Sequence, residues 1–218
     1  MDNKNKIKIA CVGDSITEGC NVPLELRSTE SFPAQLQKML GFGFEVRNYG
    51  YGGRTMIIET HPSRVDESWK LSLNGTFYTS LRLWQPDIIV IMLGTNDSKS
   101  RHWNKDQFIS DYKKLVDEFF KLPSNPSIYI CSAPCCFTEG ICDTISAKVI
   151  REEVILAAIE VFKYFKSRDS NISFIDIYEA TRGHETAFDK DGVHPLKKGM
   201  SLIAKTIYDS IKIKEGLE

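Results

Sequence analysis

"KIKIACVGDSITEGC", residues 6–20, sets an apolar run, Ile7 to Val12, against Gly13-Asp14-Ser15 and a helix-compatible Ile16-Thr17-Glu18. The run is short and contains β-branched residues, which suits a strand better than a helix. Two readings of its abrupt end compete. Asp14 or Ser15 can cap the N-terminus of the next helix with a side-chain oxygen. Alternatively, the turn lifts Ser15 into a cleft as a nucleophile. The other segments of the chain decide between them.

Four more runs resemble the first: 44–49 (FEVRNY), 87–93 (DIIVIML), 127–133 (SIYICSA) and 172–178 (ISFIDIY). The third and fourth strands of the series are almost continuously apolar, as strands buried on both faces should be. Between the strands, apolar residues recur at helical spacing. The spacing predicts helices over 31–41, 104–122, 144–167 and 195–213, with Ser31 a cap, Gly41 a stop and Pro195 at the first helical position. Strands alternating with helices give an α/β fold with a mainly parallel sheet. No repeat, low-complexity tract or linker divides the 218 residues, so one domain over 1–218 is expected.

The composition narrows the function. Hydrophobic residues make up 42% and aromatics 11%, enough to bury a core. A net charge of -1 and a pI near 6.4 leave no basic footprint for nucleic acid and no polybasic patch for a membrane surface. Lysines interrupt the first apolar run, so no leader is expected, and no stretch reaches the length of a membrane span. The six cysteines, Cys11, Cys20, Cys131, Cys135, Cys136 and Cys142, lack the spacing of a zinc site. They read as reduced thiols of a cytoplasmic protein. The neighbours Cys135 and Cys136 read as small buried apolar residues, with a redox pair as the alternative.

Two long connections, 50–76 and 133–143, follow strands, as does the Gly13-Asp14-Ser15 turn. Long connections in compact domains are often functional. In open α/β sheets ligands bind beyond the carboxyl ends of the strands. Four segments stand on that rim: Gly13-Asp14-Ser15, 48–55 (NYGYGGRT), 94–97 (GTND) and 191–195 (DGVHP). Each has an ordinary structural explanation by itself, as cap, turn or glycine bend.

Together they hold the parts of an acyl-transfer site. Ser15 needs a base, and His194 has the pKa for the task. Asp191, three residues earlier, can reach the far imidazole nitrogen and fix its tautomer. A tetrahedral oxyanion needs preorganised donors. The N–H of Ser15, the N–H of a glycine in 50–53 and the Asn96 amide can come from neighbouring strand ends. This mechanism needs neither metal nor cofactor.

These segments resemble the motif blocks of the SGNH, or GDSL-type, hydrolases, a flavodoxin-like α/β/α family of esterases and lipases. VGDSITEG is similar to the serine block and NYGYGGRT to the glycine block. There Asn48 and Thr55 match the flanking residues, so the oxyanion glycine falls at Gly53. GTND matches the asparagine block at Asn96, and DGVHP matches the Asp-x-x-His block at Asp191 and His194. The resemblance implies a three-layer α/β/α fold with a five-stranded, mainly parallel sheet. It also implies a Ser15-His194-Asp191 triad with a Ser15, Gly53 and Asn96 oxyanion hole. The stretches QPDIIVIMLGTNDSKSRHW and GHETAFDKDGVHP resemble the carbohydrate and sialate O-acetylesterase members. That implies a small-molecule ester as substrate, an acetyl group on a sugar hydroxyl. The 133–143 stretch departs from the family by carrying cysteines where proline is expected.

Other readings stay open. A lysophospholipase or thioesterase of the same fold would use the same residues, and a flavodoxin-like binding module would use none of them chemically. A phosphate site fails, because no Gly-rich lysine loop is present and Asp14 and Glu18 repel an anion. A cysteine hydrolase at Cys135 or Cys136 lacks a histidine nearby in sequence. Arg54 faces either the substrate or solvent. Trp103 either stacks on a sugar or packs into the fold. His102 and His184 read as solvated loop residues, with polar groups of the pocket as the alternative, and Glu152 and Glu153 as a solvent face.

Overall fold

Five parallel strands form the sheet: β1 (Ile7–Gly13), β2 (Phe44–Gly50), β3 (Ile88–Met92), β4 (Ser127–Cys131) and β5 (Ile172–Ile175), in the order β2-β1-β3-β4-β5. This is a computed structural model, and it describes residues 6–58, 75–137, 145–168 and 171–216. Successive strand residues face opposite sides. Ala10 and Val12 join one apolar cluster with Tyr78, Leu81, Tyr112, Leu115 and Val161. Ile9 and Cys11 join another with Leu36, Ile203 and Ile207. The sheet is therefore buried on both faces, and the architecture is the three-layer α/β/α fold that the continuous apolar runs require.

Helices Thr76–Trp84, Lys105–Phe120 and Ile155–Lys166 lie on the first face. Phe32–Leu40 and Lys197–Glu215 lie on the second. Asn104 caps its helix by accepting from the Gln107 N–H at 3.0 Å. Ser31 holds the N-cap position of Phe32–Leu40 without a side-chain bond, and Gly41 ends that helix at φ +76°.

The structure departs from the sequence pattern at several ends. β5 stops at Ile175, because Asp176 caps a short helix, Ile177–Thr181, through the Glu179 N–H. Residues 147–166 are helical but pass through a π segment, Ile150–Val154. Pro195 is not the first helical residue. It bridges to Phe188, Leu196 is the N-cap, and the helix begins at Lys197. The helix Thr76–Trp84 is not among those the spacing predicts, since it begins inside a stretch that reads as a long connection.

The order 2-1-3 defines the site. The chain leaves β1 towards β2 on one side and returns to β3 on the other. The carboxyl ends of β1 and β3 therefore flank a switch point, where such sheets bind ligands. The helix Ser15–Glu18 leaves β1 there and presses on the end of β2. A Cβ at Gly50 would lie 2.1 Å from the Glu18 amide nitrogen and 2.5 Å from the Thr17 carbonyl carbon, so only glycine fits. Gly50→Ala should thus cost about 1–3 kcal/mol, the usual range for overpacking. Gly43→Ala, whose Cβ would meet nothing within 4 Å, should change stability by less than about 0.5 kcal/mol. Denaturant melts of both variants check this, and equal midpoints would refute the close approach.

Candidate active site

At the opening turn the capping role falls to Asp14 and not to Ser15. Asp14 is the N-cap and accepts from the Ile16 N–H at 2.9 Å. Ser15 is the first helical residue, and its Oγ lies 2.9 Å from His194 Nε2. His194 Nδ1 lies 2.6 Å from Asp191 Oδ2. The other Asp191 oxygen accepts from the N–H groups of Val193 and His194 at 2.8 and 2.9 Å. Partial burial pushes the Asp191 carboxyl up, but the bonds from the His194 backbone, the His194 ring and Val193 outweigh it. Its pKa is held below the ordinary carboxylate value. The Asp189 N–H donates to the His194 carbonyl at 2.9 Å and closes the loop around both residues.

The segment after β2 hangs on the Ser15 helix. Glu18 Oε2 accepts from the Gly52 N–H at 2.7 Å, and Arg27 pairs with Glu18 Oε1 at 2.8 Å. Asn48 donates to the Thr17 carbonyl at 2.8 Å and accepts from the Gly50 N–H at 2.8 Å. The Asn96 amide donates to the Arg54 carbonyl at 3.0 Å. Gly53 is thereby bracketed: its predecessor is bonded to the serine helix and its successor to Asn96. Gly53 has φ +75°, a conformation that disfavours any Cβ. Among the described residues no acceptor meets the Gly53 N–H.

Buried carboxylates anchor the chain just beyond Gly53. Both Asp97 oxygens approach the Met56 N–H, at 2.9 and 3.0 Å. Asp111 accepts from the Ile58 N–H at 3.1 Å. Burial pushes the Asp14 carboxyl up to about 6. Burial pushes Asp97 up to about 7, and the charge of Asp14 adds to the rise.

The remaining candidates divide. The Arg54 guanidinium lies over the Tyr51 ring, 4.3 Å from its centroid, and burial lowers its pKa. Trp103 packs on Phe108 at 5.4 Å and donates to Glu153 at 2.6 Å, which favours packing. His102 is a correction: it is buried, with Nδ1 3.0 Å from the Asn96 carbonyl, and not solvated. His184 is exposed, as are Glu152 and Glu153. The Cys135 N–H donates to Thr181, and burial raises the thiol pKa, which opposes a nucleophilic role. Cys142 lies outside the described residues, as do residues 59–74 and 138–143 of the two long connections. Among the described residues no group of three His, Cys, Asp or Glu side chains could hold a metal ion.

Sequence reasoning missed the supporting polar residues. The sequence assigned no supporting role to Glu18, Asn21, Asp97 or Asp111, because their partners are distant in sequence. Asn21 bonds to Asp189, 168 positions away. The one available signal was that Glu18 and Asp97 sit inside the two motif blocks themselves.

Comparison with known proteins places the chain in a family. Residues 11–202 match the model of the GDSL-like lipase/acylhydrolase family. An acetylxylan esterase of Xylanibacter ruminicola is 29% identical over 96% of this chain and 44% of its own length. The cellulase/esterase CelE of Acetivibrio thermocellus is 24% identical over 96% of this chain and 26% of its own. The chain thus spans less than half the length of these relatives. A family two carbohydrate esterase from Clostridium thermocellum, solved with cellohexaose, superposes with a TM-score of 0.70. It is 21% identical and covers 96% of this chain and 64% of its own. A carbohydrate acetylesterase family member from Sinorhizobium meliloti gives 0.66 at 20% identity, covering 96% of this chain and 99% of its own. The family model matches most of the chain's length, and the chain belongs to the GDSL-like lipase/acylhydrolase family.

Proposed function

We propose that the chain hydrolyses acetyl esters of a carbohydrate through Ser15. The observation that carries the reading is the Ser15 Oγ, His194 Nε2 and His194 Nδ1, Asp191 Oδ2 pair of contacts, at 2.9 and 2.6 Å. His194 takes the serine proton as Oγ attacks the acetyl carbonyl, then gives it to the sugar oxygen as the bond from that oxygen to the acetyl carbon breaks, leaving acetyl-Ser15 and the free sugar hydroxyl. Asp191, held ionised by its N–H bonds, fixes the tautomer with Nδ1–H and steadies the imidazolium. Water then attacks the acetyl-enzyme, with His194 again the base. The oxyanion is received by the N–H groups of Ser15 and Gly53 and by the Asn96 amide hydrogen not engaged with Arg54. Acetyl groups on sugar are favoured by the acetylxylan esterase relative. Arg54 is the better placed of the two substrate-side candidates, being next to Gly53. Trp103 keeps a stacking role only at the edge of its packing contact. Cys11, Cys20, Cys131, Cys135 and Cys136 are free thiols. No helix among the described residues is long and apolar enough to cross a membrane.

A serine-reactive fluorophosphonate should add covalently at Ser15 in the wild type and fail to add to Ser15→Ala. Peptide mapping by mass spectrometry reads the site, and label on a cysteine would move the nucleophile to the Cys135 region.

Acetyl esters should exceed octanoyl esters in kcat/KM. Acetylated xylo-oligosaccharides and p-nitrophenyl esters of graded chain length measure this. The reverse order would favour the lysophospholipase or thioesterase reading.

Asn96→Ala should lower kcat by about 10²–10³, roughly 2.7–4 kcal/mol, with little change in KM. Asn96→Asp has nearly the same shape but removes both N–H donors and aims a charge at the oxyanion. It should be as damaging as alanine or worse at pH 7 to 8. Near wild-type kcat in the aspartate variant would remove Asn96 from the oxyanion hole.

A further inference from the structure

The Ser15 helix ends in a tight turn. Gly19 takes φ +89° and donates to the Ser15 carbonyl at 3.0 Å, and the Cys20 N–H meets the same carbonyl at 2.9 Å. Asn21 comes next at φ +68°, one of three described non-glycine residues in the left-handed region. The Val22 N–H closes the turn on the Gly19 carbonyl at 3.1 Å. Asn21 is thus fixed to the backbone of the nucleophile's own helix.

Its side chain crosses to the loop that carries the base. Asn21 Nδ2 donates to Asp189 Oδ2 at 2.6 Å and stands 3.5 Å from Asp191 Oδ2, the oxygen that faces His194 Nδ1. Asp189 in turn is tied into the loop three times. Its N–H reaches the His194 carbonyl at 2.9 Å, its carbonyl takes the Gly192 N–H at 2.9 Å, and its Oδ1 takes the Lys190 N–H at 2.7 Å. The loop is thereby held as one closed unit.

We infer that Asn21 is a positioning residue that clamps the Ser15 helix to the Asp189–His194 loop and so sets the distance between nucleophile and base. The inference rests on the Ser15-His194-Asp191 reading above. The Ser15 to His194 bond must break and re-form as the proton moves, so it cannot itself hold the two elements in register. The Asn21 to Asp189 bond is untouched by the chemistry and is charge-assisted, the stronger class of hydrogen bond. An amide is the suitable group: it donates to a carboxylate without adding charge beside Asp191. Asparagine also tolerates the left-handed backbone better than most residues.

The two roles of Asn21, backbone and clamp, separate experimentally. Asn21→Gly suits φ +68° at least as well and removes the amide. A purely backbone role leaves kcat and the melting midpoint unchanged in this variant. The clamp predicts a kcat about tenfold lower on p-nitrophenyl acetate, with KM and Tm near wild type, since loosened register raises the barrier and not the binding. Asp189→Ala, which also removes the Lys190 bond, should lose at least this factor, and the double variant should lose no more than Asp189→Ala alone, because the Asn21 bond is then already gone. Asp189→Asn, which keeps an acceptor oxygen for Asn21, should retain kcat within about threefold. Wild-type kcat in Asn21→Gly, or additive losses in the double variant, overturns the clamp. Ser15→Ala is run beside them. If it is inactive, the outcome at Asn21 judges the clamp alone. If it keeps wild-type activity, the triad reading itself falls, and the clamp with it.

Discussion

The contact on which the site depends is the seating of one helical turn, Ser15–Glu18, against the end of β2. Gly50 admits the helix backbone where a methyl group would collide with it. Polar bonds fix the turn once it is there. Asn48 bonds to the Thr17 carbonyl, and Glu18 bonds to the Gly52 N–H. The strand register pairs Gly13 with Gly50 and Gly13 with Met92, so the ends of β2, β1 and β3 line up side by side. Each segment of the candidate site then takes its place relative to this turn. The Gly53 loop is hung from Glu18, Asn96 reaches back to Arg54, and the His194 loop comes across to Ser15 and Asn21.

Carboxylates do much of the holding, and their burial has a cost. Asp14, Asp97 and Asp111 are each almost wholly shielded from solvent. Each offers its oxygens to backbone N–H groups: Ile16, Met56 and Ile58 respectively. Those N–H groups lie in the first turn of the short Ser15 helix or in the irregular segment after β2. A buried N–H without a partner costs stability, so the carboxylate meets a need of the backbone. The return cost is electrostatic. Burial raises Asp14 to about 6 and Asp97 to about 7, well above the ordinary value near 4. A raised folded-state pKa means the native state binds protons more tightly than the unfolded chain does. The stability contributed by the protonated forms is present below about pH 4 and is lost as pH rises through about 6 and 7. Irregular loops at a strand rim are thus fixed by groups that weaken the fold at neutral pH, a trade that the geometry of the site explains.

The legible and illegible parts of the chain differ in range. β3 and β4 are readable because their apolar continuity reflects burial on two faces, a property of each strand alone. The four motif segments are readable because glycine, serine, asparagine and histidine are chemically unusual at a strand end. Ser15, His194 and Asp191 do come together, and Asn96 and Gly53 stand on the same segments as expected. The features that fail are those decided by distant partners. His102 has the local look of a loop residue, but the carbonyl of Asn96 takes its ring. Pro195 has the local mark of a helix start, but its bridge to Phe188 delays the helix to Lys197. The π segment Ile150–Val154 has an ordinary helical pattern, and the sequence carries no sign of the widened turn.

The order of the sheet explains why so few residues suffice. A nucleophile and an oxyanion donor must sit within a few ångströms of one carbonyl group yet be held by separate supports. Two adjacent parallel strands deliver their carboxyl ends side by side, and the 2-1-3 order makes β1 and β3 such a pair. Ser15 leaves the first and Asn96 the second. In the proposed mechanism the base comes from neither, because a base on the same short turn as Ser15 would have to reach around its own helix. His194 instead comes from a closed loop just ahead of the last helix, and approaches from outside the sheet. That separation gives the imidazole a free line to Oγ. It also leaves the base on an element the sheet does not hold directly, so its register must come from side-chain bonds. Asp191 supplies the bond within the loop, and Asn21 supplies the bond across to the serine helix.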